Sequence, residues 1–473
     1  MPLNRADVRK KIDAFFEAHT DTMLDDLAKL IAINSVKGPA EDGAPCGAAS
    51  REVLNVAASM LEKQGFAVDN FEDIMITADL GKTPALLGIL AHLDIVDAGE
   101  GWSTDPFTMT VKDGKILGRG VIDNKGPAIA SMYAMYCARE ICPELKSGVR
   151  IILGSAEETG FEDVTQYLSK NAPPPNVFSP DAEFPVVNTE KGRFAPFFEA
   201  SWEKDSALPR VLSIVGGTTM NIVPNRAQAV IEGFSISDAE AFCREYSEKT
   251  GADITVVQCG ESLNLTALGT ATHASTPQLG NNAQTALIEM LANMPFAQSK
   301  SFGYVKALNR LFAHNDYNGH ALGIQMSDEA SGKLTVNFGV LNFTECGFTA
   351  NFDSRTPICA DSVDITGITT SAMEKDGIAI TESSISKAHH TPGDTPFVQT
   401  LLSIYEEYTG NEPKCLTTGG QTYVHDIQGG VVFGCGFPGI SYNAHGADEF
   451  MTVEQLVVSA KMFTQVILDM CAE

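Results

Sequence analysis

The stretch from Ala91 to Asp123, AHLDIVDAGEGWSTDPFTMTVKDGKILGRGVID, constrains this chain more than any other. The run that leads into it, Ala85-Leu86-Leu87-Gly88-Ile89-Leu90-Ala91, has the length and unbroken apolarity of a strand buried on both faces, as in a parallel sheet. His92 then falls at the strand's carboxyl end, where open α/β sheets place their ligand sites because the connecting loops diverge there. His92 and Asp94 stand two residues apart on an extended segment and so point the same way, one able to bind a cation while the other orients it. Asp123 closes a second, shorter apolar run.

The same grammar recurs downstream. Asn124-Lys125-Gly126-Pro127 opens an apolar helix to about residue 140, with Pro127 suited to a first turn. A β run over 149–156 ends in Glu157-Glu158, and a helix over 162–169 and the breaker Pro173-Pro174-Pro175 precede a run ending in Asp181. This alternation of strands and helices predicts a mostly parallel sheet with flanking helices. Helical spacing also marks 5–33, 48–64, 397–408 and 453–470. Between them the character changes. Strands over 194–202, 210–215, 227–236 and 253–257, helices over 238–249 and 281–293, and hairpin-like 333–343 and 347–352 suggest an inserted α+β unit. The expected organisation is a catalytic domain split into 1–188 and 391–473 around an insertion of 189–390.

A chain of 473 residues exceeds what a single core usually serves. The balance of 33 basic against 60 acidic residues, net −27, disfavours phosphate backbones and anionic lipid as partners. The first 20 residues hold no apolar leader core, and no run approaches a membrane span of roughly 20 apolar residues. Ten cysteines without a CxxC pair fit free thiols in a reducing cytoplasm.

Taken singly, each polar residue has an ordinary reading: a hydrogen-bonded histidine, an Asp-Asn turn, a solvated helix start. Their recurrence after separate apolar runs, with His445 in SYNAHGADE as a further candidate, argues against it. Zinc takes His nitrogen and carboxylate oxygen, and a two-metal site needs about five such side chains with one bridging carboxylate.

The segments HLDIVDAGEGWSTDPF, GRGVIDNKGP, AEETG, SPDAEFPVVNTEKG, NIVPN, THAS, DSRTP, TGGQTYV and NAHGADE, in order over about residues 80–450, resemble the co-catalytic zinc peptidases of the aminoacylase/carboxypeptidase family, most of all its PepV-type dipeptidase branch. The resemblance implies a phosphorylase/hydrolase-like α/β catalytic domain and a lid of two subdomains. It implies two divalent metal ions, Zn with Mn or Co as alternatives: His92 and Asp181 on one, Glu158 and His445 on the other, Asp123 bridging, and a cis peptide after Asp123. Asn124 departs from the second Asp of many relatives. Asp94 would orient His92, Glu157 would be the general base, and His273 would stabilise the oxyanion. Asn221, Arg355 and Gly420 would bind substrate. The implied protein is a cytoplasmic, monomeric hydrolase of dipeptides, with an N-acyl amino acid deacylase and a non-catalytic metal-binding relative as the other readings.

Overall fold

The computed structural model describes residues 4–472, which fall into two compact units. Within the described residues, one unit takes in the chain up to Thr189, His390–Leu416 and everything from Gln421 onward; the other is Glu190–His389 with Thr417–Gly420.

The first unit is organised by a mixed sheet whose centre is parallel. Strands Gly148–Gly154, Ala85–His92, Asn176–Ser179 and Val431–Val432 lie side by side in parallel. Antiparallel Val68–Phe71 and Met75–Leu80 extend one side, and Val186–Glu190 pairs antiparallel with Val431–Val432 on the other. Ala85–His92 is central and buried along nearly its whole length, as its unbroken apolar run requires.

Helix Lys125–Ile141 packs against Arg5–Ile31 and Val453–Cys471. It is buried nearly all round, which explains its run of small and apolar residues. The outer two begin with side-chain caps. Asn4 accepts from the N–H groups of Ala6 and Asp7, and Thr452 and Gln455 form a capping box, each cap worth about 1 kcal/mol.

In the second unit eight strands form one antiparallel sheet, in the order Asp253–Cys259, Ser262–Leu268, Arg226–Glu232, Arg210–Gly216, Thr335–Phe343, Gly347–Thr356, Gly192–Ser201, Ala379–Ser386. Its two four-stranded halves meet where Ile214–Gly216 pairs with Leu341–Phe343, and they share one apolar core. Period-2 burial is clear in Arg226–Glu232, where Ala227, Ala229 and Ile231 point inward. Helices Lys300–Leu311 and Ile365–Glu374 were not expected from the sequence. The second carries β-branched Ile365, Thr366, Ile368, Thr369 and Thr370, which read as extended. Tertiary packing of Ile365, Thr369 and Met373, with Asp364 capping Gly367, overrides that preference.

None of the ten cysteines is paired. Among the described residues no helix is long and apolar enough to cross a membrane.

Candidate metal centre

Because the central strands are parallel, their carboxyl ends share one edge. His92 closes Ala85–His92, Glu157 and Glu158 follow its neighbour Gly148–Gly154, and Asp181 follows Asn176–Ser179 on the other side. Asp123 arrives differently. Residues 118–124 form turns rather than the end of a strand, so the second apolar run expected there is a loop. The Asp123-Asn124 peptide is cis.

The side chains converge. His92 Nε2 lies 3.0 Å from Asp123 Oδ1 and 3.4 Å from Asp181 Oδ1. His445 Nε2 lies 3.0 Å from Asp123 Oδ2 and 3.1 Å from Glu158 Oε1. The groups His92/Asp123/Asp181 and Asp123/Glu158/His445 each bring one ligand atom per residue within 4.8 Å of the others, and they share Asp123 through its two oxygens. A third grouping, His92/Glu157/Glu158, includes Glu157. Only Glu158 of the two glutamates also meets His445, so Glu157 stands apart from the second group.

This donor set fits divalent cations. Each imidazole Nε2 faces only carboxylate oxygens, and imidazole with carboxylate suits zinc and its neighbours in the first transition row. The Nδ1 of His92 is 3.1 Å from the carbonyl oxygen of Asp94 and 3.4 Å from its carboxylate, which favours a proton on Nδ1 and leaves Nε2 for a metal.

The electrostatics of the side chains themselves point the same way. Burial opposes charge on His92, but Asp181, Asp123 and Asp94 outweigh it and hold the ring's pKa well above its usual value. Hydrogen bonds to Asp123 and Glu158 push His445 up to about 11. Burial, with Asp123 and Glu158 nearby, raises Asp181 to about 7 against the pull of His92. Burial, then repulsion from Asp181, raises Glu157 well above the usual carboxylate range. Burial and Asp123 raise Glu158. Asp123 itself is lowered despite burial, because both histidines hydrogen-bond to it. Raised proton affinities on His92, His445, Glu157, Glu158 and Asp181 mark a cluster that favours added positive charge.

A set of buried polar groups holds these ligands, and the sequence did not single most of them out. Fully buried Asp94 accepts from the N–H groups of Glu157 and Glu158 at 3.2 and 3.1 Å, tying His92 to the glutamate pair. Asn124 donates to Pro180 O and Asp181 Oδ1, both at 2.9 Å. Glu449, 0% exposed, accepts from the backbone N–H groups of Gly120, Ile122 and Asp123 and from Arg119 Nη1 at 2.6 Å. Lys125 donates to Leu30 O and Ile33 O, and burial lowers its pKa to about 7. Asp163 accepts from Ser155 and Ala156 N–H and from the Tyr423 hydroxyl, fixing the turn that presents Glu157. The segment that carries His445 is itself constrained. Asn443, His445 and Asp448 all have left-handed φ, of 56°, 61° and 55°, and Asp448 is held by Ser103.

The second unit gathers the remaining expected site residues into one patch of its own. Ile222 bridges His273, and Ala274 N–H donates to Asn221 O. His273 Nδ1 meets Ser275 Oγ at 2.7 Å, and a Cβ on Gly419 would come within 2.5 Å of Ser275 Cβ, so only glycine fits there. Arg355 Nη1 donates to Gly419 O at 2.7 Å, and Gly420 follows.

Residues 88–469 match the peptidase family M20/M25/M40. The chain belongs to that family. It is similar to the putative dipeptidase YtjP of Bacillus subtilis, 32% identical over 98% of each chain. It is similar also to the Beta-Ala-Xaa dipeptidase of Lactobacillus delbrueckii subsp. lactis, 31% identical over 96% of this chain and 97% of that one. Among solved structures it shares its fold with human carnosine dipeptidase 1, with a TM-score of 0.57 and 15% identity over 99% of each chain.

Proposed function

We propose that this member of the M20/M25/M40 family is a metal-dependent dipeptidase. The observation that carries the reading is the pair of three-residue groups that share Asp123, with a further buried carboxylate, Glu157, beside them. Full-length similarity to two relatives named as dipeptidases supports the choice of substrate.

In this reading His92 and Asp181 hold one cation, Glu158 and His445 the other, and Asp123 lies between. Divalent cations held there, Zn or alternatively Mn or Co, would supply Lewis-acid activation of water and of the scissile carbonyl. Glu157, a buried carboxylate beside these groups, would take a proton from the attacking water and deliver it to the leaving amine. Asp94 keeps the His92 ring in its ligating orientation. The N–H of Ser275 donates to His273 Nδ1, which favours the proton on Nε2 and makes that atom a donor for the oxyanion. The patch of Asn221, Arg355 and Gly420 receives the carboxylate end of the dipeptide.

We read the chain further as a cytoplasmic monomer, a reading supported by its unpaired cysteines and strong acidity. The test of function is a panel of dipeptides, one tripeptide and N-acetyl amino acids, offered to stripped enzyme with Zn²⁺, Mn²⁺ or Co²⁺ restored. Metal-dependent cleavage of dipeptides is expected. Cleavage of the acylated substrates alone would make it a deacylase, and silence with both metals bound would make it a non-catalytic relative.

A further inference from the structure

The turn that carries Glu157 and Glu158 is held by two buried acids. Four consecutive backbone N–H groups, those of Ser155, Ala156, Glu157 and Glu158, all donate to carboxylates. Asp163, 1% exposed, takes the first two at 2.6 and 2.8 Å, and Asp94 takes the last two. Asp94 also faces Nδ1 of His92, so it ties one end of the turn to that imidazole.

Tyr423, buried like these acids, ties the other end to the same imidazole. Its hydroxyl donates to Asp163 Oδ2, the oxygen that accepts from Ser155 and Ala156. Its ring meets the His92 ring edge to face, with centroids 6.2 Å apart and planes at 83°. Contacts thus run in a closed circuit from His92 through Asp94, the glutamate turn, Asp163 and Tyr423 back to His92. Gly154, the last residue of its strand, makes room for the joint, because a Cβ there would collide with both the Tyr423 hydroxyl and Asp163 Oδ2. The backbone that presents Tyr423 is itself fixed, since Thr422 caps the short turn Tyr423–Asp426 by accepting from Val424 N–H.

We propose that Tyr423 is a positioning residue for hydrolysis, which holds the turn that aims Glu157 through Asp163 and fixes the His92 imidazole through its ring. The proposal rests on the dipeptidase reading for the role of Glu157. A phenylalanine at 423 keeps the ring contact and deletes the hydroxyl, so the circuit opens at one joint and Asp163 keeps both backbone donors.

The test compares Tyr423→Phe with Tyr133→Phe, which removes a comparably buried hydroxyl from Asp26, outside the circuit. Tyr423→Phe should lower kcat for a dipeptide on the order of 10- to 100-fold, with KM and metal content unchanged, because a slightly misplaced base loses most of its advantage. Tyr133→Phe should change none of these. In a Glu157→Gln background Tyr423→Phe should cost less than about twofold more, since the group it aims is already gone. Asp163→Asn, which weakens the same joint from its other side, should give the same pattern. The visible spectrum of cobalt-loaded Tyr423→Phe should differ from that of the wild type, because His92 and Glu158 both lie in the circuit. An unchanged kcat, an equal loss with and without Glu157, or an unaltered cobalt spectrum would each overturn the proposal. If the wild type cleaves no dipeptide, the dipeptidase reading fails, and the cobalt spectra, read without substrate, still decide whether Tyr423 holds the cluster.

Discussion

Each of the two units carries a cluster of charged residues, and the clusters are built on opposite plans. In the first, carboxylates dominate. His92, Asp123, Glu157, Glu158, Asp181 and His445 are brought together by strand ends and two loops, and the proton affinities of all but Asp123 are raised by burial and by one another. In the second, one carboxylate, Asp353, serves the guanidinium groups of Arg193 and Arg355 and the surplus is positive. An acidic cluster that raises its own proton affinities is poised to be completed by cations, whereas a cationic one is poised to be completed by an anion. The contrast separates two kinds of site: the first cluster favours added positive charge, the second added negative charge.

The largest effect should come from Glu157, the one acid of the first cluster that belongs to neither of the two groups sharing Asp123. Glu157→Gln should lower kcat by about 10²- to 10⁴-fold while two metals per chain are retained, as measured by elemental analysis beside the assay. Loss of metal along with activity would make Glu157 a ligand and erase the distinction between it and Glu158.

Next in size is Glu449. It is the first unit's counterpart of Asp353, a buried carboxylate that accepts from a guanidinium and from neighbouring backbone, here the turn that presents Asp123. Glu449→Ala leaves Arg119 buried and unpaired, for which a loss of about 3 to 5 kcal/mol in urea unfolding is expected. Metal affinity should fall by about 10- to 100-fold, since the support of the bridging ligand is gone. An altered visible spectrum of the cobalt-loaded Glu449→Gln protein would separate a change at the metals from mere instability. An unchanged spectrum and affinity would confine Glu449 to a structural role.

The proton affinities give a third expectation with a definite sign. In the metal-free protein His445 is raised from 6.5 to about 11. The stability it contributes is complete below pH 6.5 and is lost as pH rises towards 11. Asp181 is likewise raised, from 3.8 to about 7, so its contribution is complete below pH 3.8 and gone above 7. Raising the pH from 6 to 8 should therefore lower the Tm of metal-free protein. Cations must displace these protons, so the rise in Tm on adding Zn²⁺ should be larger at pH 8 than at pH 6. Equal shifts at both values in scanning fluorimetry would contradict the protonated, cation-ready description of the cluster.

The two clusters were unequally legible in the sequence, for a physical reason. His92, Glu157, Glu158 and Asp181 terminate apolar runs, and the end of a buried parallel strand is recognisable from local composition. Asp123 and His445 lie in turns: Asp123 was read at the end of a short apolar run that proves to be a loop, His445 only as a further candidate, and the roles of both rested on the resemblance. Glu449, Arg119 and Asp163 left no local trace. Glu449 meets the turn at Gly120 across 329 residues of chain, and nothing near either residue encodes that partnership. The pairing of Arg193 with Asp353 was silent for a similar reason: it depends on strand register, which sets Arg193 opposite Arg355. The fold was read more evenly. Helices such as Val453–Cys471 came within a residue or two because amphipathic spacing is local, while Ile365–Glu374 escaped because its β-branched residues contradict its final state.

The smallest expected effect tests how much support the recognition patch needs compared with the metal cluster. His273 Nδ1 receives the backbone N–H of Ser275 at 3.2 Å and meets the Ser275 hydroxyl at 2.7 Å. Ser275→Ala removes the hydroxyl and keeps the backbone donor, so the tautomer with a proton on Nε2 persists. The half-buried site also lets water replace the lost contact. A decrease in kcat of about two- to tenfold is expected, with KM and metal content unchanged, in line with the net worth of one neutral hydrogen bond. Glu449 has no such reserve, because one side chain satisfies a guanidinium and three backbone donors at once. If Ser275→Ala instead cost as much as Glu449→Ala, the hydroxyl rather than the backbone would be setting the imidazole, and the second cluster would be as tightly interdependent as the first.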